Sequence, residues 1–342
     1  MTILLKPIYG ILKEVNDMPS TITHSYFTND VYNHLSVKNK ELLYSDKEWL
    51  QTTGQGMDVT YFYNVMFPWR KGLDVQIFGN WFHKSKTYEF FSTLINYIKY
   101  NDYQNNSEII GFLYGQICHY ALDKTCHPYI IYKTGKYYKE DKSTYKYNME
   151  HSRIESLIDE YFIKEREHIK PYKYKCYKIF DTRSLSRKTK EVIDFTYKEV
   201  FNKPNFSTNY EKCIKDMKLF YKVFRYDPTG LKLLFYRFVD LICPLSIRKK
   251  HAISYHNKLK DIEKILNLNH DIWYNPVTKE KHNESFLDLY IIALQDAIYM
   301  IENINKYIYE DKKIDLKKVI ANYSYETGID LDKDQKYSIF EY

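Results

Sequence analysis

Glycine and proline are scarce, 10 and 9 in 342 residues, which excludes a protein built from many short strands joined by tight turns. No two cysteines stand as Cys-x-x-Cys. The five present, Cys118, Cys126, Cys176, Cys213 and Cys243, are odd in number and scattered, which argues against a disulfide framework and for free thiols in a reducing compartment. No apolar run can span a bilayer comfortably, because the best candidate, 231–247, is interrupted by Lys232, Arg237, Asp240 and Pro244. No block of like charge is long enough to form a tail. The first residues offer a short apolar stretch, but Lys13, Glu14 and Asp17 follow without a small-residue cleavage site, so they do not read as a signal peptide. The expected location is therefore cytoplasmic.

What remains is a chain rich in helix-favouring residues, long enough for one large core. Its 37 tyrosines are better explained by AT-rich codons than by a nucleic-acid surface, and no specific nucleic-acid partner is expected. The net charge of +7 permits weak attraction to anionic surfaces such as phospholipid. Lys13-Glu14-Val15 can be encoded by a ribosome-binding sequence, followed by a plausible spacer and then Met18. Residues 1–17 are accordingly expected to be a start-codon artefact or a short extension, which the intact mass of the native protein would distinguish. Helical periodicity predicts helices over 29–43, 81–100, 107–127, 148–167, 188–201, 210–224, 231–242, 251–266 and 285–307. Residues 18–342 are expected to form a single all-α domain, with a helical C-terminal extension over 187–342.

The chemistry concentrates in two of these helices. His119, Asp123 and His127 are spaced i, i+4, i+8 and project from one slowly drifting helix face. His151 and Glu155 repeat the i, i+4 spacing on the next helix. A set of imidazoles and carboxylates without thiolate suits an open catalytic metal site rather than a closed structural one. Zinc fits such donors, and manganese and iron are compatible. Pro128 disfavours helical geometry at His127, so the helix should end there and splay His127 toward a different ion from His119 and Asp123. Gly111 and Gly115 should let another helix approach closely, and Cys118 and Cys126 should be packing residues. The segment 235–247, with Arg237, Arg248, Lys249 and Lys250 beside it, reads as a buried helix with a basic exit in preference to a lipid-touching one. His34, His168, His251, His256, His270 and His282 are expected to be bystanders, although His270-Asp271 has the dipeptide of another phosphohydrolase class.

These motifs, His-x-x-x-Asp-x-x-x-His followed by His-x-x-x-Glu, resemble the bacterial zinc-dependent phospholipase C family, which is related to the single-strand-specific zinc nucleases. Further pieces agree in order: Thr23-His24-Ser25-Tyr26-Phe27, then Gly56-Met57-Asp58-Val59-Thr60-Tyr61, then Trp81-Phe82-His83 with Tyr88-Glu89-Phe90-Phe91. The resemblance covers about 20–161, and only 273–276 and 285–290 are faintly similar beyond it. It implies an all-α fold of that type and a centre of two or three zinc ions. His83, His119 and Asp123 would hold one ion, with Asp58 at its edge. His127, His151 and Glu155 would hold a second. His24 and a bridging Asp123 would hold the third, which secreted relatives complete with a processed terminal amine. Here residues precede His24 on either start codon.

A close pair of such ions lowers the pKa of a bound water, clamps phosphoryl oxygens and stabilises the leaving alkoxide. Asp58 is the candidate to orient or deprotonate the attacking water. The expectation is a zinc-dependent phosphoric diester hydrolase that cleaves a phospholipid-type substrate, with transient contact to a membrane surface. A nuclease or other phosphoesterase on the same cluster, and a non-enzymatic metal-stabilised binding protein, are the alternatives.

Overall fold

The computed structural model describes residues 21–341 except 67–69, 71, 139, 243–249, 257–258, 260 and 311. The proposed upstream extension and Cys243 thus lie outside the described residues. Among the described residues thirteen α-helices run in order: α1 Thr21–His34, α2 Val37–Leu43, α3 Lys47–Thr53, α4 Leu73–Phe82, α5 Thr87–Tyr100, α6 Ser107–Thr134, α7 Glu150–Glu167, α8 Arg187–Phe201, α9 Phe206–Phe220, α10 Leu231–Ile242, α11 Ile262–Ile265, α12 Phe286–Tyr309 and α13 Leu316–Val319. Two two-residue strands, Trp273–Tyr274 and Lys281–His282, pair antiparallel with Trp273 opposite His282. The fold is all-α, as expected. Among the described residues no helix is long and apolar enough to cross a membrane.

Helix α6 is the axis of the molecule. It is apolar around nearly its whole circumference, and a helix of that kind must be surrounded. Asn106 caps its start, accepting from the Ile109 N–H at 3.1 Å. Helices α1, α3, α7 and α12 pack around it. Gly111 and Gly115 admit α3, as the sequence predicts. A Cβ on Gly115 would stand 2.6 Å from the Thr53 backbone, and the Thr53 hydroxyl donates to the Gly111 carbonyl at 2.9 Å. On the far side α12 begins with a reciprocal cap, in which Ser285 accepts from the Asp288 N–H and returns its own N–H to the Asp288 carboxylate. Cys118 and Cys126 are buried free thiols.

The expected stop at Pro128 is overturned, because α6 runs on to Thr134. An internal proline costs roughly 3 kcal/mol in a helix. Burial of Tyr129, Ile130 and Ile131 just beyond it, with Tyr129 bonded to the Ile265 carbonyl at 2.6 Å, outweighs that local penalty. Other expected helices are divided. Ser36 caps α2 and breaks 29–43, and Lys86, in left-handed geometry, separates α4 from α5 within 81–100. Among its described residues the span 251–266 holds a 3-10 turn and the one-turn α11.

Helix α10 corrects the expectation of a buried helix over 235–247 as far as Ile242, and 243–247 lie outside the described residues. It buries Tyr236 and Val239 but leaves Leu231, Leu234, Phe238 and Leu241 more than half exposed. Its strong amphipathic pattern turns part of the apolar stripe outward.

Candidate metal centre

Five segments bring the eight singled-out side chains together. Helix α6 supplies His119, Asp123 and His127. Because α6 continues past Pro128, His127 sits within the helix and not at a terminus. The expected separation from His119 nevertheless holds, for a different reason. Eight residues at about 100° each leave a residual rotation of about 80° and a rise of about 12 Å, which turns His127 toward α7. There it meets His151 and Glu155 in the first two turns of α7. His151 Nε2 lies 3.2 Å from Glu155 Oε1, and His127 Nε2 lies 3.6 Å from the same oxygen.

Helix α1 brings His24, whose Nε2 is 3.2 Å from Asp123 Oδ1. The start of α1 is fixed by α7. Asp159 Oδ1 accepts from both the N–H and the hydroxyl of Thr23 at 2.8 Å, while Asp159 Oδ2 accepts from Tyr255. Asp159 was not among the sequence candidates, yet it continues the spacing His151, Glu155, Asp159, the same i, i+4, i+8 signal read in α6.

Asp58 comes from the 3-10 segment Gly56–Phe62, and its Oδ1 lies 3.2 Å from His83 Nε2. Gly56 has φ 55°, and a Cβ there would collide with the His119 ring, so the segment can lie against His119 only with glycine at that position. His83 closes α4, where its Nδ1–H donates to the Gly79 carbonyl at 2.7 Å and leaves Nε2 facing the centre. That Nε2 is 3.1 Å from His119 Nε2.

The donors fall into two sets. His24, Asp58, His119 and Asp123 offer atoms within 4.8 Å of one another, as do His127, His151 and Glu155. His83 adjoins the first set. His24, which the resemblance assigns to a third ion with Asp123, stands in one set with His119 and Asp58. Asp123 faces both sets: Oδ2 is 3.2 Å from His119 and Oδ1 is 3.8 Å from His127.

The electrostatics of the cluster are those of a site built for positive charge. Burial lowers the His119 pKa to about 4, incompletely offset by Asp123 and Asp58. Burial pulls the same way on His127, but Asp123 and Glu155 outweigh it and lift the value to about 10. His24 and His83 are raised in the same manner, by Asp123 and Asp58 respectively. Glu155 is held at about 2, since His151 and His127 overcome the burial that would raise it. Asp123 is held well below the carboxylate range by His119, His127 and His24, against its burial.

Among the described residues, Asp58 Oδ2, Asp123 Oδ2 and Glu155 Oε2 are buried without a hydrogen-bond partner. Three orphaned carboxylate oxygens in one cluster are costly unless a cation meets them. The donor set and these orphans fit divalent metal ions.

A pocket opens on the cluster. Asp58, His83, His127, His151 and Glu155 form its floor, and Tyr61, Asn80, Ile131, Lys136, Tyr137, Tyr147, Met149 and Glu326 form its wall. The Tyr61 hydroxyl donates to Asn80 Oδ1 at 3.2 Å, and its ring stacks on His83. The sequence reading missed Tyr61, Lys136 and Glu326 as wall residues, because nothing local marks them. The six bystander histidines stay outside the donor sets. His256 stacks on Tyr172 and His282 on Trp273, while His270 bonds the Asn283 carbonyl.

The model of the family described as zinc dependent phospholipase C matches residues 22–206, more than half of the chain. The match spans every one of the eight donors. No curated protein and no solved structure matches the chain.

Proposed function

The chain belongs to the zinc-dependent phospholipase C family, and from that premise we propose that it is a zinc-dependent phosphoric diester hydrolase acting on a phospholipid-type substrate. The observation that carries the reading is the pocket whose floor is the metal-donor cluster and whose wall sets Tyr61, Ile131, Tyr137, Tyr147 and Met149 beside Asn80, Lys136 and Glu326. His24, Asp58, His83, His119 and Asp123 would hold the inner metal, and His127, His151 and Glu155 the outer one, with Asp123 shared. Bound there, a pair of divalent ions supplies Lewis acidity and activated water for phosphoryl transfer.

The chain's own residues do the rest. Asp58 reaches both the inner donors and the pocket floor, so it is placed to orient an incoming water and accept its proton. Tyr61, Tyr137, Tyr147, Ile131 and Met149 give the reacting diester an apolar surround, which suits the glyceride portion of a lipid. Ligation through His127 Nε2 would need that nitrogen unprotonated, so His127 would give up a proton on holding an ion. The exposed apolar stripe of α10 supports transient contact with a membrane surface.

The test is hydrolysis by the zinc-loaded protein of a choline phosphodiester lipid set against single-stranded nucleic acid. Release of diacylglycerol with no nucleic-acid cleavage supports the reading. Cleavage of nucleic acid alone would make the protein a nuclease, and no turnover of any phosphodiester would leave a metal-stabilised binding protein.

A further inference from the structure

The tripeptide Ser324-Tyr325-Glu326 lies outside the residues matched to the family, 22–206, yet it touches both donor sets. The Tyr325 N–H donates to the His83 carbonyl at 3.0 Å, and the Ser324 hydroxyl donates to the same oxygen at 3.3 Å. The Tyr325 carbonyl accepts from His127 Nδ1 at 3.0 Å. The Tyr325 ring is fully buried, edge-on to His83 at 5.1 Å between centroids and 5.6 Å from His119. One residue on, the Glu326 carboxylate is gripped by Lys84 at 2.9 Å, Lys136 at 3.1 Å and the Tyr337 hydroxyl at 2.6 Å. Two residues further, Gly328 turns the chain at φ 65° against the Lys124 carbonyl, the group that Pro128 leaves without its helical partner.

We infer that this tripeptide is a clasp that positions the metal ligands. It ties His83 of the inner set to His127 of the outer set. The inference rests on the metal-centre reading above. An imidazole has two nitrogens, and the partner of one decides which is free to bind metal. A main-chain carbonyl can only accept, so Tyr325 keeps the proton of His127 on Nδ1. Nε2 is left as the ligating atom, facing Glu155 Oε1 and Asp123 Oδ1. The carbonyl cannot swing away as a side chain could, because it is anchored before by His83 and after by the Glu326 ion pairs. The role of Tyr325 is positioning: its main chain sets a ligand, and its side chain fills space between the histidines.

The experiment uses the full chain and reads zinc directly. Zinc per chain and its retention against a chelator are measured for the wild type, Glu326→Gln and Gly328→Ala, neither of which alters a ligand. Gly328→Ala puts a Cβ into the Lys124 carbonyl in a backbone region that L-residues disfavour. Nitrogen NMR of the imidazoles in the zinc-loaded wild type reports which ring atom of His127 binds. Expected are helical variants that lose one zinc at roughly 10–100-fold lower chelator concentration, and a wild-type His127 bound through Nε2 with its Nδ1–H retained. Wild-type retention in both variants, or zinc on Nδ1 of His127, would overturn the clasp while leaving the centre standing. A wild type that takes up no zinc would overturn the centre and the clasp with it. Should either variant fail to fold, the wild-type spectrum still decides.

Discussion

The inner and outer donor sets share Asp123 but differ in their surroundings. His24, Asp58, His119 and Asp123 are each at most 4% exposed, inside a wall of helices α1, α4 and α6. His127 and His151 are partly exposed along their side chains and form part of the pocket floor. The inner set is therefore the more buried of the two, where charge interactions are strong, although Asp58 and His83 still reach the pocket floor. The outer set lies nearer the solvent. One helix provides both environments, because eight residues of α6 carry its ligand face from the core to the mouth of the pocket.

The sharpest way to break this distinction is Asp123→Asn, which removes the charge common to both sets without changing shape. Zinc should be lost from both and phosphodiester turnover should fall by on the order of 10³-fold, with the helical circular dichroism retained. A variant that keeps a full zinc complement would show that the sets are independent. Glu155→Gln should separate them. It disturbs only the outer donors, so one zinc should remain in the anchor while turnover drops on the order of 10²-fold. Elemental analysis of the dialysed variant checks the count.

The distinction was partly legible in the sequence. The spacing His119, Asp123, His127 and the pair His151, Glu155 disclosed ligand faces, since helical periodicity is a local property. The order of the His24, Asp58 and His83 motifs added the inner partners. Three things were hidden. Pro128 pointed to a helix end, but the packing of Tyr129, Ile130 and Ile131 overrides a local preference and can be seen only in three dimensions. The outward apolar face of α10 was likewise invisible, because hydrophobic content alone does not say what covers a helix. Tyr325 meets His127 through its main chain across nearly two hundred positions, and no side-chain pattern encodes such a contact. Asp159 was legible in principle through its i+8 relation to His151, but its role of capping α1 depends on how two helices cross.

Asp159→Ala sharpens the comparison by testing the support of the inner set without touching a ligand. The Thr23 N–H and hydroxyl and the Tyr255 hydroxyl would lose their acceptor, which should cost about 3 kcal/mol in denaturant unfolding of the zinc-loaded protein. The zinc count should be unchanged. A still smaller effect is expected at the rim. Lys136 and Lys84, overcoming burial, hold Glu326 well below the ordinary carboxylate range. A carboxyl depressed in the folded state stabilises it fully above its unfolded pKa of about 4.5, and that stabilisation fades as pH falls toward the folded value. The stability difference between wild type and Glu326→Gln should accordingly be flat above about pH 5 and shrink in more acid solution. A difference that grew on acidification would reverse the sign of this coupling.

The account stands most directly on whether these eight side chains bind metal at all. Elemental analysis of protein purified without chelator, repeated after dialysis against excess zinc, measures this in one step. Two zinc ions per chain are predicted, one in each donor set, falling to none in Asp123→Asn. A wild-type chain that remains metal-free in excess zinc would contradict the account.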